Sequence, residues 1–143
     1  MEKEITKDHY ENGKLKSEGE FKPFTDCTSR GSGTSILENN HDFCVECIGG
    51  TSSRKIGKWK YYHENGKLKM EGEYLVLDYI GLPIVKNGLW KYYYLNGKLK
   101  MEGEYNGLDN SVEDWDVRYG VWNTYDKTGK LSNKLTYKNG EIV

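Results

Sequence analysis

Ten residues, NGKLKMEGEY, fill positions 65–74 and recur letter for letter at 96–105. A third copy, NGKLKSEGEF at 12–21, differs only at Ser17 and Phe21, and a degraded fourth runs from Thr128-Gly129-Lys130-Leu131 to Tyr137. Repetition of this kind makes each copy one supersecondary unit, and neighbouring units must stack to bury what a single one leaves open. Most architectures are excluded by that requirement alone.

The unit reads as a hairpin. Asn-Gly between alternating residues is the strongest short-range hairpin signal, because a type I′ turn needs positive φ at both central positions. With Asn65-Gly66 as the two central residues, Glu64 faces Lys67 and the pairing steps outward from there. Trp59 then lies opposite Gly72, Tyr61 opposite Met70 and His63 opposite Leu68, all on one face. Lys58–Glu73, Lys60–Glu71 and Tyr62–Lys69 share the other. The copy around Asn96-Gly97 repeats the scheme, with Trp90 opposite Gly103, Tyr92 opposite Met101 and Lys91 opposite Glu102. A cross-strand glycine leaves room for an indole. The Lys–Glu pairs penalise slippage, since a one-residue shift would turn each tryptophan into water.

One two-stranded hairpin is marginal in water, so the copies are expected to work as an array. The predicted fold is all-β: a single-domain antiparallel meander of about eight strands over 1–143. Its hairpins fall at about 4–21, 57–74, 88–105 and 120–137. The end copies are altered. Thr6 stands in the tryptophan position opposite Gly19, and Leu135 stands where glycine would be. After Tyr137-Lys138, Asn139-Gly140 begins another turn, leaving one brief strand at 141–143.

Composition narrows the function classes. The 21 basic and 22 acidic residues leave a net charge of −1, so neither the basic footprint of a nucleic-acid binder nor a polybasic membrane segment is present. No apolar h-region follows Met1, and no apolar run reaches the length of a membrane span. The expected location is therefore the cytoplasm, with no nucleic-acid or membrane partner. Apolar residues make up only 36%, but 12 tyrosines supply wide rings that can cover a thin sheet.

The pattern G-x-W-x-x-Y…N-G-K-L-K-x-E-G-x-Y resembles the bacterial variant of the MORN repeat (membrane occupation and recognition nexus). Gly57, Trp59, Tyr62, Asn65, Gly66, Lys67, Leu68, Glu71, Gly72 and Tyr74 carry it in the second copy. Gly88, Trp90, Tyr93, Asn96, Gly97, Lys98, Leu99, Glu102, Gly103 and Tyr105 carry it in the third. Within that group the chain is similar to the YwqK-type family labelled as antitoxins of bacterial toxin–antitoxin pairs. The resemblance implies a repeat scaffold that binds another molecule, and covers about half of the chain.

The chain departs from the ordinary spacing in its connections. Three inserts, 22–56, 75–87 and 106–119, all lie on the edge opposite the Asn-Gly turns, where repeat arrays often carry their binding face. The first holds every cysteine: Cys27, Cys44 and Cys47, with His41 nearby. Cys-x-x-Cys lets two thiolates converge on one ion, and Cys27 and His41 would complete a Cys3His zinc site. A disulfide between two of the three is a second state, and reduced thiols in a Gly/Ser-rich loop are a third. The second insert contains Leu77, Tyr79, Ile80 and Leu82. Either its flanking strands simply extend and turn at Gly81-Leu82-Pro83, or part of it protrudes as an apolar partner patch. The third places Asp114 and Asp116 around Trp115, either a solvated loop or an anchor for a basic partner.

Neither a phosphate-cradling loop, a dinucleotide fingerprint nor a nucleophile elbow occurs. The leading expectation is a non-catalytic module that captures a protein, a toxin or effector, on its insert-bearing edge. On the second face of the sheet, Tyr62 and Tyr93 either add a flat aromatic surface or serve only to cover the sheet. The alternative is a structural subunit that self-associates through open sheet edges. Lipid binding ranks third, and no cofactor is called for beyond the candidate zinc.

Overall fold

The computed structural model describes residues 4–24, 52–76, 84–107 and 116–143. They form one nine-stranded antiparallel sheet in sequence order. Its strands are β1 (Glu4–His9), β2 (Leu15–Phe24), β3 (Ser52–Tyr62), β4 (Leu68–Val76), β5 (Ile84–Tyr93), β6 (Leu99–Tyr105), β7 (Arg118–Tyr125), β8 (Leu131–Lys138) and β9 (Glu141–Ile142). The all-β meander expected from the repeats is the fold observed, with the brief strand after Asn139-Gly140 as its ninth member. No helix long and apolar enough to cross a membrane occurs among the described residues.

The expected register holds through most of each hairpin. Trp59 pairs with Gly72, Lys60 with Glu71 and Tyr61 with Met70, and the third copy repeats this at Trp90–Gly103, Lys91–Glu102 and Tyr92–Met101. The turn itself differs from expectation. His63 N–H donates to Lys67 O at 2.8 Å and Gly66 N–H to His63 O at 2.9 Å, which closes a three-residue loop. Gly66 alone takes positive φ, at 88°, while Asn65 does not. This is a type I turn followed by a left-handed glycine rather than type I′. Tyr62 consequently pairs with Leu68, not Lys69, and His63 no longer faces Leu68. Lys69 is the extra residue of a bulge, which shifts the register back before Met70. The loop and the bulge cancel, so the outer pairs come out as an ideal two-residue turn would place them. Among the described residues, only Asn139-Gly140, with φ of 52° and 80°, has positive φ at both positions.

Joints between hairpins are antiparallel too, but irregular. Glu71 pairs with Lys91 and Glu73 with Asn87, so Gly88, Leu89 and Trp90 stand against the single residue Gly72. Gly88 has φ of 68°, a conformation that glycine adopts without steric cost. The bulge lays Trp90 across its neighbour: a Cβ on Gly72 would sit 2.1 Å from Trp90 Cδ2. The same holds for Gly19 under Trp59 and Gly103 under Trp122. Trp59, Trp90 and Trp122 therefore each rest on the glycine of the preceding hairpin, although the hairpins of Trp59 and Trp90 also set a glycine opposite the indole.

These indoles are the core. Trp59, Tyr74, Trp90, Tyr105 and Trp122 are buried in one cluster, with Phe21, Tyr61, Met70, Tyr92, Met101 and Tyr137 packed around it. Phe21, Tyr74 and Tyr105 each meet the next tryptophan edge-on at 5.0 Å, an arrangement worth about 0.5–1.5 kcal/mol beyond its buried area. A sheet with a low apolar fraction thus gains a core from one row of rings on one face.

Candidate functional site

The two rims of the sheet, formed by the strand ends, differ in what they leave unused. At the turn rim the polar groups are spent on neighbours. Asn12, Asn65 and Asn96 each use Oδ1 to accept the amide of their own turn lysine, at 2.9 Å. Their Nδ2 groups donate to Glu64 O, Leu95 O and Lys127 O in the next turn. Lys14, Lys67 and Lys98 reach across likewise, to Asn65 O, Asn96 O and Thr128 O at 2.9–3.3 Å. Tyr10 and Tyr94 donate to Tyr62 O and Tyr125 O at 2.7 and 2.8 Å. The motif N-G-K therefore fastens one hairpin to the next.

The face opposite the tryptophans carries a second fastening. Tyr62, Tyr93 and Tyr125 donate their phenols to Glu18, Glu71 and Glu102 of the preceding hairpin, at 2.6–2.8 Å. The sequence reading assigned Glu71 and Glu102 to lysine. Lysine does stand opposite in the register, yet no Lys58–Glu73, Lys60–Glu71 or Lys91–Glu102 ion pair forms among the described residues. Burial, then the bond to Glu18, pushes the Tyr62 phenol up to about 12. Burial and Glu71 raise Tyr93 further, and burial with the neighbouring Tyr105 hydroxyl raises Tyr92. At neutral pH these phenols stay protonated, so they hold shape and do not exchange protons.

The insert-bearing rim is built otherwise. Lys55, Lys86 and Arg118 stand two residues before the glycine of each G-x-W and lie over Trp59, Trp90 and Trp122 at 5.1, 5.2 and 4.4 Å. They roof the indoles where the strands leave the core. The sequence carried a signal for them, a basic residue at the same offset in three copies, that the motif reading passed over.

At this rim the roots of the second and third inserts share one base. Val85 is fully buried and Val117 nearly so. Asn106 N–H donates to Val117 O at 2.8 Å, and Gly107 N–H to Asn87 Oδ1 at 3.2 Å. A Cβ on Gly107 would sit 2.8 Å from Val85 and 3.0 Å from the Lys86 carbonyl, so the two roots touch through glycine. Asp116 pairs with Lys86 Nζ at 3.2 Å. Beside this base a cleft of about 420 Å³ is lined by Asp116, Val117, Arg118, Tyr137, Asn139, Gly140 and Glu141. Arg118 donates to the Tyr137 hydroxyl at 3.1 Å and its carbonyl accepts from Gly140 N–H.

Of the residues singled out from sequence, Asp116 lies at this base, and Tyr62 and Tyr93 lie half-buried in the face opposite the tryptophans. Trp59, Gly72, Trp90, Gly103, Asn65, Gly66, Asn96 and Gly97 occupy the joints and turns already described. Leu77, Tyr79, Ile80, Leu82, Asp114 and Trp115, and the candidate zinc ligands Cys27, His41, Cys44 and Cys47, lie outside the described residues. The roots of the second insert do continue the strands, with Leu75 paired to Val85 and Val76 to Ile84.

Fold and rims together define a repeat platform: hairpins fastened to one another along the turns, with additional chain emerging at the opposite side. The chain belongs to the MORN repeat variant family, which matches residues 5–22, 55–75, 86–106 and 118–139, more than half of its length. Most of each insert falls between these matches. Repeats of this family are commonly protein- or membrane-binding modules. Neither a curated protein nor a solved structure matches the chain.

Proposed function

We propose that this chain is a non-catalytic binding module that captures a protein partner on its insert-bearing rim. The observation that carries the reading is the asymmetry of the rims. Turn-rim asparagines and lysines are consumed in fastening hairpins, whereas the roots of the second and third inserts converge on one packed, hydrogen-bonded base beside an open cleft. A packed base that presents loop chain is how scaffolds carry recognition. The YwqK-type resemblance supports a toxin or effector as the partner, and an antitoxin-like role for the chain in the cytoplasm.

Affinity capture with the full chain from its source cell, followed by mass spectrometry, tests this. The expected result is one stoichiometric protein, lost when residues 77–83 and 108–115 are replaced by short Gly/Ser turns that leave the strands and the base intact. Absence of any stoichiometric protein would overturn the reading. Salt-sensitive flotation with anionic liposomes would replace it with a membrane role.

A further inference from the structure

The three joints between hairpins use one set of residues facing forward and another facing back. Facing forward are the turn asparagine, the glutamate that accepts a phenol, and the glycine beneath an indole: Asn12/Glu18/Gly19, Asn65/Glu71/Gly72 and Asn96/Glu102/Gly103. Facing back are a tryptophan and a tyrosine: Trp59/Tyr62, Trp90/Tyr93 and Trp122/Tyr125. Each indole also donates Nε1–H to a carbonyl of the preceding hairpin, at 3.1 Å. Every joint is therefore directional.

The outermost hairpins keep only the set that an inner neighbour uses. The first retains Asn12, Glu18 and Gly19 but has Thr6 and His9 in place of tryptophan and tyrosine. The last retains Trp122 and Tyr125 but has Thr128, Lys134 and Leu135 in place of asparagine, glutamate and glycine. Setting β1 of a second copy against β8 in the inner-joint register puts Lys134 opposite Lys7. The inner joints put Glu18 opposite Lys60 and Glu71 opposite Lys91. Like charges directly opposed are unfavourable in a sheet.

The outward backbone is guarded as well. Lys134 N–H is taken by Asn133 Oδ1 at 2.9 Å, and His9 N–H by Asp8 Oδ1 at 3.0 Å. Val143 N–H covers Thr136 O at 2.9 Å. In the last turn Asp126 accepts from the amides of Thr128 and Lys130, where Tyr10 and Tyr94 reach into the next hairpin.

We propose that β1 and β8 carry a mismatched version of the joint, so that copies of this chain reject one another edge to edge. Open strands would otherwise recruit an identical sheet. The inference stands whether or not the insert-bearing rim binds a partner, and it opposes the assembly reading of the sequence. Its positive content is a code: Thr6, His9, Thr128, Lys134 and Leu135 decide whether the array extends.

Two variants test the code. One carries Thr128→Asn, Lys134→Glu and Leu135→Gly, and the other carries Thr6→Trp and His9→Tyr. Sedimentation velocity of the wild type and of each variant alone is expected to show monomer across the accessible concentration range. Mixing the two variants is expected to give a one-to-one complex, at least about tenfold tighter than any wild-type self-association. The fluorescence of the tryptophan introduced at position 6 should shift to the blue on mixing. Failure of two folded variants to associate overturns the code. Should either variant fail to fold, the wild type still decides: dimers cross-linked between Lys7 and Lys134 of different copies overturn the proposal, and monomer upholds it.

Discussion

The packing of Trp59, Trp90 and Trp122 on the preceding hairpin makes Gly72→Ala the most informative single change. The new Cβ would lie 2.1 Å from Trp90 Cδ2 and 2.2 Å from Cε2. Trp90 is fully buried, so the indole must lift away. Overpacking of this kind costs about 1–3 kcal/mol, and loss of the Trp90 Nε1–Glu73 O bond adds about 1 kcal/mol. The expected destabilisation is about 2–4 kcal/mol in urea unfolding followed by circular dichroism. Gly88→Ala is the control. Nothing lies within 4 Å of its Cβ position, but its φ of 68° strains an L-residue by about 1–2 kcal/mol. The decisive quantity is a coupling energy. In a double-mutant cycle with Trp90→Leu, Gly72→Ala should couple by about 1–3 kcal/mol, and with Trp59→Leu by less than about 0.5 kcal/mol. Coupling to Trp59 that equals or exceeds coupling to Trp90 would refute the packing between hairpins and favour packing within one.

The raised phenols give a pH dependence. An unfolded tyrosine ionises near pH 10, and Tyr62 in the folded chain near 12, so the folded state holds its proton longer. Stability is therefore full below about pH 10 and falls as pH rises towards 12. Absorbance titration at alkaline pH should show a late group of tyrosines that merges with the rest in urea; one uniform transition near pH 10 in the folded chain would contradict this. Asn65→Ala removes a bond within its turn and another to Leu95 O, and should cost about 1–2 kcal/mol. Thr128→Ala, which removes a side chain bonded only within its own turn and keeps the carbonyl that Lys98 reaches, should cost less than half as much by the same urea assay. For the first insert we propose zinc on Cys27, His41, Cys44 and Cys47: about one equivalent in protein purified without chelator, and much less after Cys44→Ser.

The repeats made the meander legible because period-2 alternation, Asn-Gly turns and a duplicated register all point to the same arrangement. The turn type was not legible. A three-residue loop and a bulge at Lys69 displace the register by equal and opposite steps, so sequence reasoning reaches the Trp59–Gly72 pair through the wrong turn. The true seat of the indole was written in the reciprocal losses at the ends: glycine without tryptophan in the first hairpin, tryptophan without glycine in the last. That information lies in a comparison between copies, not within one. The tyrosine–glutamate bonds were hidden because lysine stands opposite glutamate in the register and is the more obvious partner. The rim base was hidden for another reason. Val85, Gly107 and Val117 sit outside the repeated motif and meet only where the roots of two inserts come side by side on the sheet.

In the proposed division of labour, turns and joints hold the platform and the insert-bearing rim meets the partner. Hydrogen exchange of the chain with and without its captured partner tests that most directly. Exchange is expected to slow in peptides covering 75–87, 106–119 and 139–141, with no change at turns 11–14, 64–67 and 95–98. Protection confined to those turns, with the rim unchanged, would contradict it.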